Sequence, residues 1–201
     1  MHRLLITILG LLLTASNLFA AGSFPGLLGM NLVDAQKTDF FNWFHLRETD
    51  REKDTMGRTV VSFKPEGGTF QKLVTVKAVL AGPSRIVQLD LFLSRAFLND
   101  RNQRESANDI AKSVLLDAVG PADRTAVKIL TDEINSNRGS DMRLLTAHPQ
   151  SETPLKESPG YLTYLGKRYM YTQELSATTL KIANVKQDDE DWLDIQIAVK
   201  K

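Results

Sequence analysis

Arg85-Ile-Val-Gln-Leu-Asp-Leu-Phe-Leu-Ser-Arg95, followed shortly by Ala107-Asn-Asp-Ile-Ala-Lys-Ser-Val-Leu-Leu-Asp-Ala118, is where the apolar period of this chain changes. In the first segment Val87, Leu89, Leu91 and Leu93 alternate with Gln88, Asp90, Phe92 and Ser94, the period of a strand with two unlike faces. In the second, Ala107, Ile110, Ala111, Val114, Leu115 and Ala118 form one stripe at helical spacing. Asp100 with Gln103 three residues on resembles a capping box before it.

Upstream the period is two. Thr59 to Lys64 and Phe70 to Leu80 read as strands separated by Pro65-Glu-Gly-Gly68, and Ala81-Gly-Pro-Ser84 turns the chain into Arg85 to Arg95. Turns this short make consecutive strands antiparallel neighbours, so a three-stranded meander is expected. Downstream, Gly120-Pro121 ends the first helix and begins a second. Glycine suits a left-handed C-terminal position and proline suits a first turn. The second stripe is Ala126, Ile129, Leu130 and Ile134, and Asn135 to Gly139 is the expected end. Met142 to Ala147 reads as a short strand, and His148 to Gly160, with three prolines, as a long loop. Further strands are expected at Tyr161 to Leu165, Arg168 to Glu174, Thr178 to Val185 and Trp192 to Val199.

The fold class that follows is α+β: an antiparallel sheet built as a meander, two helices, then further strands, with the helix pair packed on one face. The apolar run Leu4 to Leu13 behind Arg3, followed by small residues to Gly22, has the layout of a cleavable export signal; an uncut anchor is the rival reading. We therefore read 1–21 as a signal peptide, 22–57 as an N-terminal arm with an aromatic segment, and 58–201 as the α+β domain. Periplasmic or extracellular residence is the expectation, with no stable membrane span once the leader is gone.

Cysteine is absent, which excludes a disulfide framework and a thiol nucleophile. There are 25 Lys and Arg against 24 Asp and Glu; removing Arg3 with the leader leaves 24 − 24, a neutral body. That balance, and a pI near 7.9, point away from nucleic acid. In Gly160-Tyr-Leu-Thr-Tyr-Leu-Gly166-Lys167-Arg168 the glycine spacing and Arg168 break the phosphate-loop pattern. Asp188 to Asp191 with Asp194 lacks the alternation of a calcium loop and reads as an acidic turn. No His-Glu-x-x-His and no Gly-x-Ser-x-Gly occurs, so neither a metal nor a cofactor is implied.

Three features remain as candidate binding surfaces. A hairpin turning at Gly166-Lys167 would set Tyr164, Tyr169, Tyr171 and Leu162 on one face, either core or an exposed aromatic platform. Phe40, Phe41, Trp43 and Phe44 form the densest aromatic cluster, in a stretch from Thr38 to Leu46 that fits a short helix and a strand equally, and Arg47 to Asp54 behind it reads as a solvated loop or frayed helix end. Trp43 and Phe44 are the residues a partner would meet, since aromatics concentrate at hot spots. His148 is the histidine to mutate first. The leading expectation is an exported, non-enzymatic module that binds a protein or envelope ligand. An exported hydrolase using His148, or an inhibitor presenting the 148–160 loop, are the alternatives.

Overall fold

The computed structural model describes residues 26–143 and 157–200. Four strands, β1 (Leu46–Lys53), β2 (Thr59–Pro65), β3 (Val74–Ala81) and β4 (Arg85–Ser94), form an antiparallel meander. Three more, β5 (Met170–Glu174), β6 (Thr178–Gln187) and β7 (Glu190–Val199), form a second one. They join into one sheet of order β1-β2-β3-β4-β7-β6-β5 through a β4–β7 seam, where Leu89, Leu91 and Leu93 face Ile197, Ile195 and Leu193. The helices are α1 (Leu32–Ala35), α2 (Asp39–Trp43), α3 (Arg95–Asn99), α4 (Arg104–Ala118), α5 (Pro121–Arg143) and α6 (Pro159–Tyr164), with a 3₁₀ turn at Thr69–Lys72.

The expected α+β class holds, with the α4–α5 pair against one sheet face. The α4 stripe buries Ala107, Ile110, Ala111, Val114, Leu115 and Ala118 into the same cluster as the inward leucines and isoleucines of β4 and β7. On α5 the buried positions are Asp123, Val127, Leu130, Thr131 and Ile134, spaced i, i+4, i+7, i+8, i+11. Ile129 falls off that face and is 64% exposed, so the expected stripe is corrected in phase. The acidic run 188–191 holds the expected turn in its first half, Asp188 (φ 52°) and Asp189 (φ 64°) being the two residues between the Gln187–Glu190 pair, while Glu190 and Asp191 already belong to β7. Positive φ at both central positions is the hairpin turn that matches strand twist, and aspartate tolerates it.

Other expectations are corrected. Arg47 to Lys53 belongs to the edge strand β1, not a loop; all of β1 but Leu46 is exposed, so alternation was hidden because neither face of this edge ribbon is apolar. The stretch from Thr38 divides, with α2 first and β1 from Leu46, and the switch is made at His45 (φ 48°). Residues 69–72 turn before β3 starts, and Arg95 opens α3 behind the capping hydroxyl of Ser94. The capping box does not form: the Asp100 carboxylate accepts from the Asn102 amide, and Gln103 precedes α4 without a side-chain cap. Gly120 is not left-handed; its carbonyl accepts from the Asp123 and Arg124 amides and so starts α5. Helix α5 continues past Asn135 to Gly139 and includes Met142 and Arg143, while the rest of the expected strand lies outside the described residues. The expected leader at 1–21 and most of the 148–160 loop also lie outside them.

The segment after residue 25 closes the helix layer. The Leu27 and Leu28 amides donate to the carbonyls of Asp117 (2.7 Å) and Ala118 (3.3 Å), two of those a helix leaves open at its C-terminus. The Gly29 amide and Met30 carbonyl then bond Ile86, tying the segment to the sheet. A methyl group on Gly26 would sit 2.7 Å from the Ala118 oxygen and the Val119 backbone. Backbone cannot yield as a side-chain tip does, so Gly26→Ala is expected to lower the melting temperature by roughly 5 °C in calorimetry.

Candidate ligand cleft

Phe40 and Phe41 are the inward residues of α2, each under 4% exposed. Their rings meet edge to face, and Phe41 meets Phe63 of β2 the same way at 5.0 Å. Such contacts orient as well as bury, so they fix the rotation of α2. With Phe40 and Phe41 inside, Trp43 must point outward. It is 79% exposed, whereas Phe44 is half-buried and packs its ring 5.6 Å from Phe40.

Trp43, Phe44 and His45 form one wall of a cleft of about 660 Å³. The end of β2 and the 3₁₀ turn form the second wall through Pro65, Glu66, Gly67 and Phe70. The floor is the outer flank of α4, where Ile110 and Leu116 are apolar and Ser106 and Ser113 polar, with Asn135 of α5 at the margin. Phe70 is held by Phe97 of α3, ring centres 5.1 Å apart, and remains 37% exposed. Lys112 is the cation of the cleft; its ammonium donates to Asp109 (2.7 Å) and Asn135 Oδ1 (2.6 Å), so the site carries an internally balanced charge pair on largely apolar walls. This chemistry seats an apolar body and offers a few polar groups for orientation, as small-molecule sites do.

The tyrosine face does not form, because Tyr161 to Leu165 is helix α6 and its C-terminal residue rather than a strand. Tyr164 is 3% exposed, its hydroxyl donates to Asn108 Oδ1 at 2.7 Å, and burial drives its pKa far upward. Tyr161 stacks beside it and is pushed up to about 12, chiefly by burial. Tyr171 is half-buried and donates to Gln173, and burial raises its pKa too. Tyr169 stands apart, 73% exposed. Trp43 and Phe44 are thus brought together, the three tyrosines are not, and His148 lies outside the described residues.

Reading the sequence missed Arg95. Its guanidinium reaches the carbonyls of Thr163 (3.1 Å) and Tyr164 (2.6 Å) and the side chain of Asn184, closing the C-terminus of α6. A half-buried cation at that end satisfies open carbonyls and the helix dipole together. Burial lowers its pKa, with the Tyr164 hydroxyl and Asp191 acting the other way. The signal for α6 was present in Ser158-Pro159: Ser158 caps the Tyr161 amide, proline holds the first turn, and Glu133 of α5 accepts from the Ser158 amide and hydroxyl.

Among the described residues no three His, Asp or Glu side chains come together as a metal site, and no helix is long and apolar enough to cross a membrane. No family model, no curated protein and no solved structure matches the chain.

Proposed function

We propose that this chain is an exported, non-enzymatic binding module, periplasmic or extracellular, whose ligand seats an apolar group against Trp43, Phe44 and Phe70. The observation that carries the reading is the cleft itself. Its volume falls within the roughly 300–1,000 Å³ of small-molecule sites, and it holds an indole that the core does not need. Export is supported by the leader pattern at 1–21, and the neutral body favours a ligand recognised by shape and apolar contact over a polyanion.

The ligand class is an envelope molecule with an apolar portion and an uncharged polar group. Lys112 pairs with Asp109 on the floor and Glu66 of the wall pairs with Arg47 at 2.9 Å, so each of these charges already has a counter-ion. The test titrates 8-anilinonaphthalene-1-sulfonate as an apolar probe into the mature protein and reads the rise in the probe's own emission, a signal that does not depend on either tryptophan. Saturable enhancement is expected, and Trp43→Ala should weaken probe affinity about five-fold or more. The melting temperature should stay within about 2 °C, because an exposed side chain contributes little to stability. Equal probe affinity in both proteins would remove the cleft from the reading. Recovery of a protein from an envelope extract, lost in Trp43→Ala, would replace the small molecule with a partner side chain.

A further inference from the structure

The sheet face away from α4 and α5 carries two carboxylates at its centre. Register places Lys77 of β3, Asp90 of β4, Gln196 of β7 and Lys181 of β6 in one cross-strand row. The next row is Thr75, Phe92, Asp194 and Ala183. Asp90 and Asp194 are therefore diagonal neighbours across the β4–β7 seam, close enough for side chains to interact.

They are not equivalent. Asp90 is 8% exposed and accepts from Gln88 Nε2 at 3.0 Å, with Gln196 as a further donor. Asp194 Oδ1 is buried and finds no donor among the described residues. An ionised carboxylate oxygen sealed from water without a donor is costly, whereas a protonated one is not. Lys77 faces Asp90 but also holds its ammonium 5.7 Å over the Phe92 ring. Lys181 on β6, and Arg58 ahead of β2, are the other cations whose fields reach the pair.

We propose that the Asp90–Asp194 pair keeps one proton in the folded state, and that the β4–β7 seam therefore weakens as the medium moves from mildly acidic to neutral. Burial, then the charge of Asp90, push Asp194 up to about 7 against the pull of Lys181 and Lys77, and burial raises Asp90 as well. An unfolded aspartate titrates near pH ~4, so the stabilisation is complete below that pH, drains away as pH rises, and is gone above about 7. The seam is the single junction between the two meanders among the described residues, so the charge falls where the halves of the sheet join.

The experiment follows the melting temperature of the mature protein and of Asp194→Asn from pH 5 to 8. The variant's advantage over the parent should grow by roughly 5–10 °C between pH 5 and 7 and then level off. An advantage, or a deficit, that does not change with pH overturns the proposal. Carboxyl chemical shifts of the unmodified protein decide independently should the variant not fold. An Asp194 midpoint near neutrality supports the retained proton, and one in the ordinary aspartate range rules it out.

Discussion

Tyr164→Ala is expected to lower the melting temperature by about 10 °C or more, while Tyr169→Ala leaves it within about 1 °C. Removing a fully buried aromatic ring costs about 3–5 kcal/mol, and in a domain of this size each kcal/mol moves the midpoint roughly 2–4 °C. Tyr164 adds to that loss, because its hydroxyl donates to Asn108, itself 2% exposed, and alanine strands that amide oxygen. Tyr164→Phe separates the two contributions and should cost about 1 kcal/mol, since it keeps the ring. Tyr169 has neither burial nor a role in the core cluster. Paired thermal melts of the three variants check the contrast. Similar falls for Tyr164→Ala and Tyr169→Ala would mean that the two side chains share an environment after all.

Asp123→Ala should be comparably severe. The Asp123 carboxylate is 1% exposed and accepts from the Ser176 amide (2.6 Å), the Ala177 amide (3.1 Å) and the Thr178 hydroxyl (2.8 Å). It thereby ties the first turn of α5 to the β5–β6 turn, and no other described side chain links those two places with three bonds. Alanine leaves three donors facing a vacated pocket. Each unsatisfied buried group costs about 1–3 kcal/mol, so a total near 3–5 kcal/mol is expected after local relaxation. In urea the midpoint should fall by about 1–2 M with little change in slope. Asp123→Asn should recover part of the loss, because its amide oxygen can still accept. Full stability in Asp123→Ala would show that water takes over these bonds.

Much of the architecture was legible because two periods dominate it. The alternation in 85–95 and in 192–199 could fit only one buried face, and the stripe from Ala107 to Ala118 only a helix against it. What stayed hidden was whatever lacks an apolar rhythm. β1 is written almost entirely in charges, since an edge strand buries little and is protected by them. α6 hides behind the strand preferences of Tyr161, Thr163 and Tyr164, and tertiary burial overrides those preferences once Ser158 and Pro159 set the first turn. The cleft was half visible: the aromatic cluster named Trp43 and Phe44, but their outward rotation depends on Phe40 and Phe41 locking onto Phe63 from another strand. The Asp90–Asp194 pair was beyond reach, because two residues so far apart in the chain say nothing of each other until strand register sets them side by side.

β7, the last of the described strands in chain order, lies inside the sheet and not at its rim. Until β7 exists, β4 has no partner on one side and β6 has none on the other, so the growing chain cannot complete its hydrogen-bonded surface from the N-terminal end alone. Cutting away its final dozen residues would take out the keystone of the arch and leave two ribbons with nothing between them.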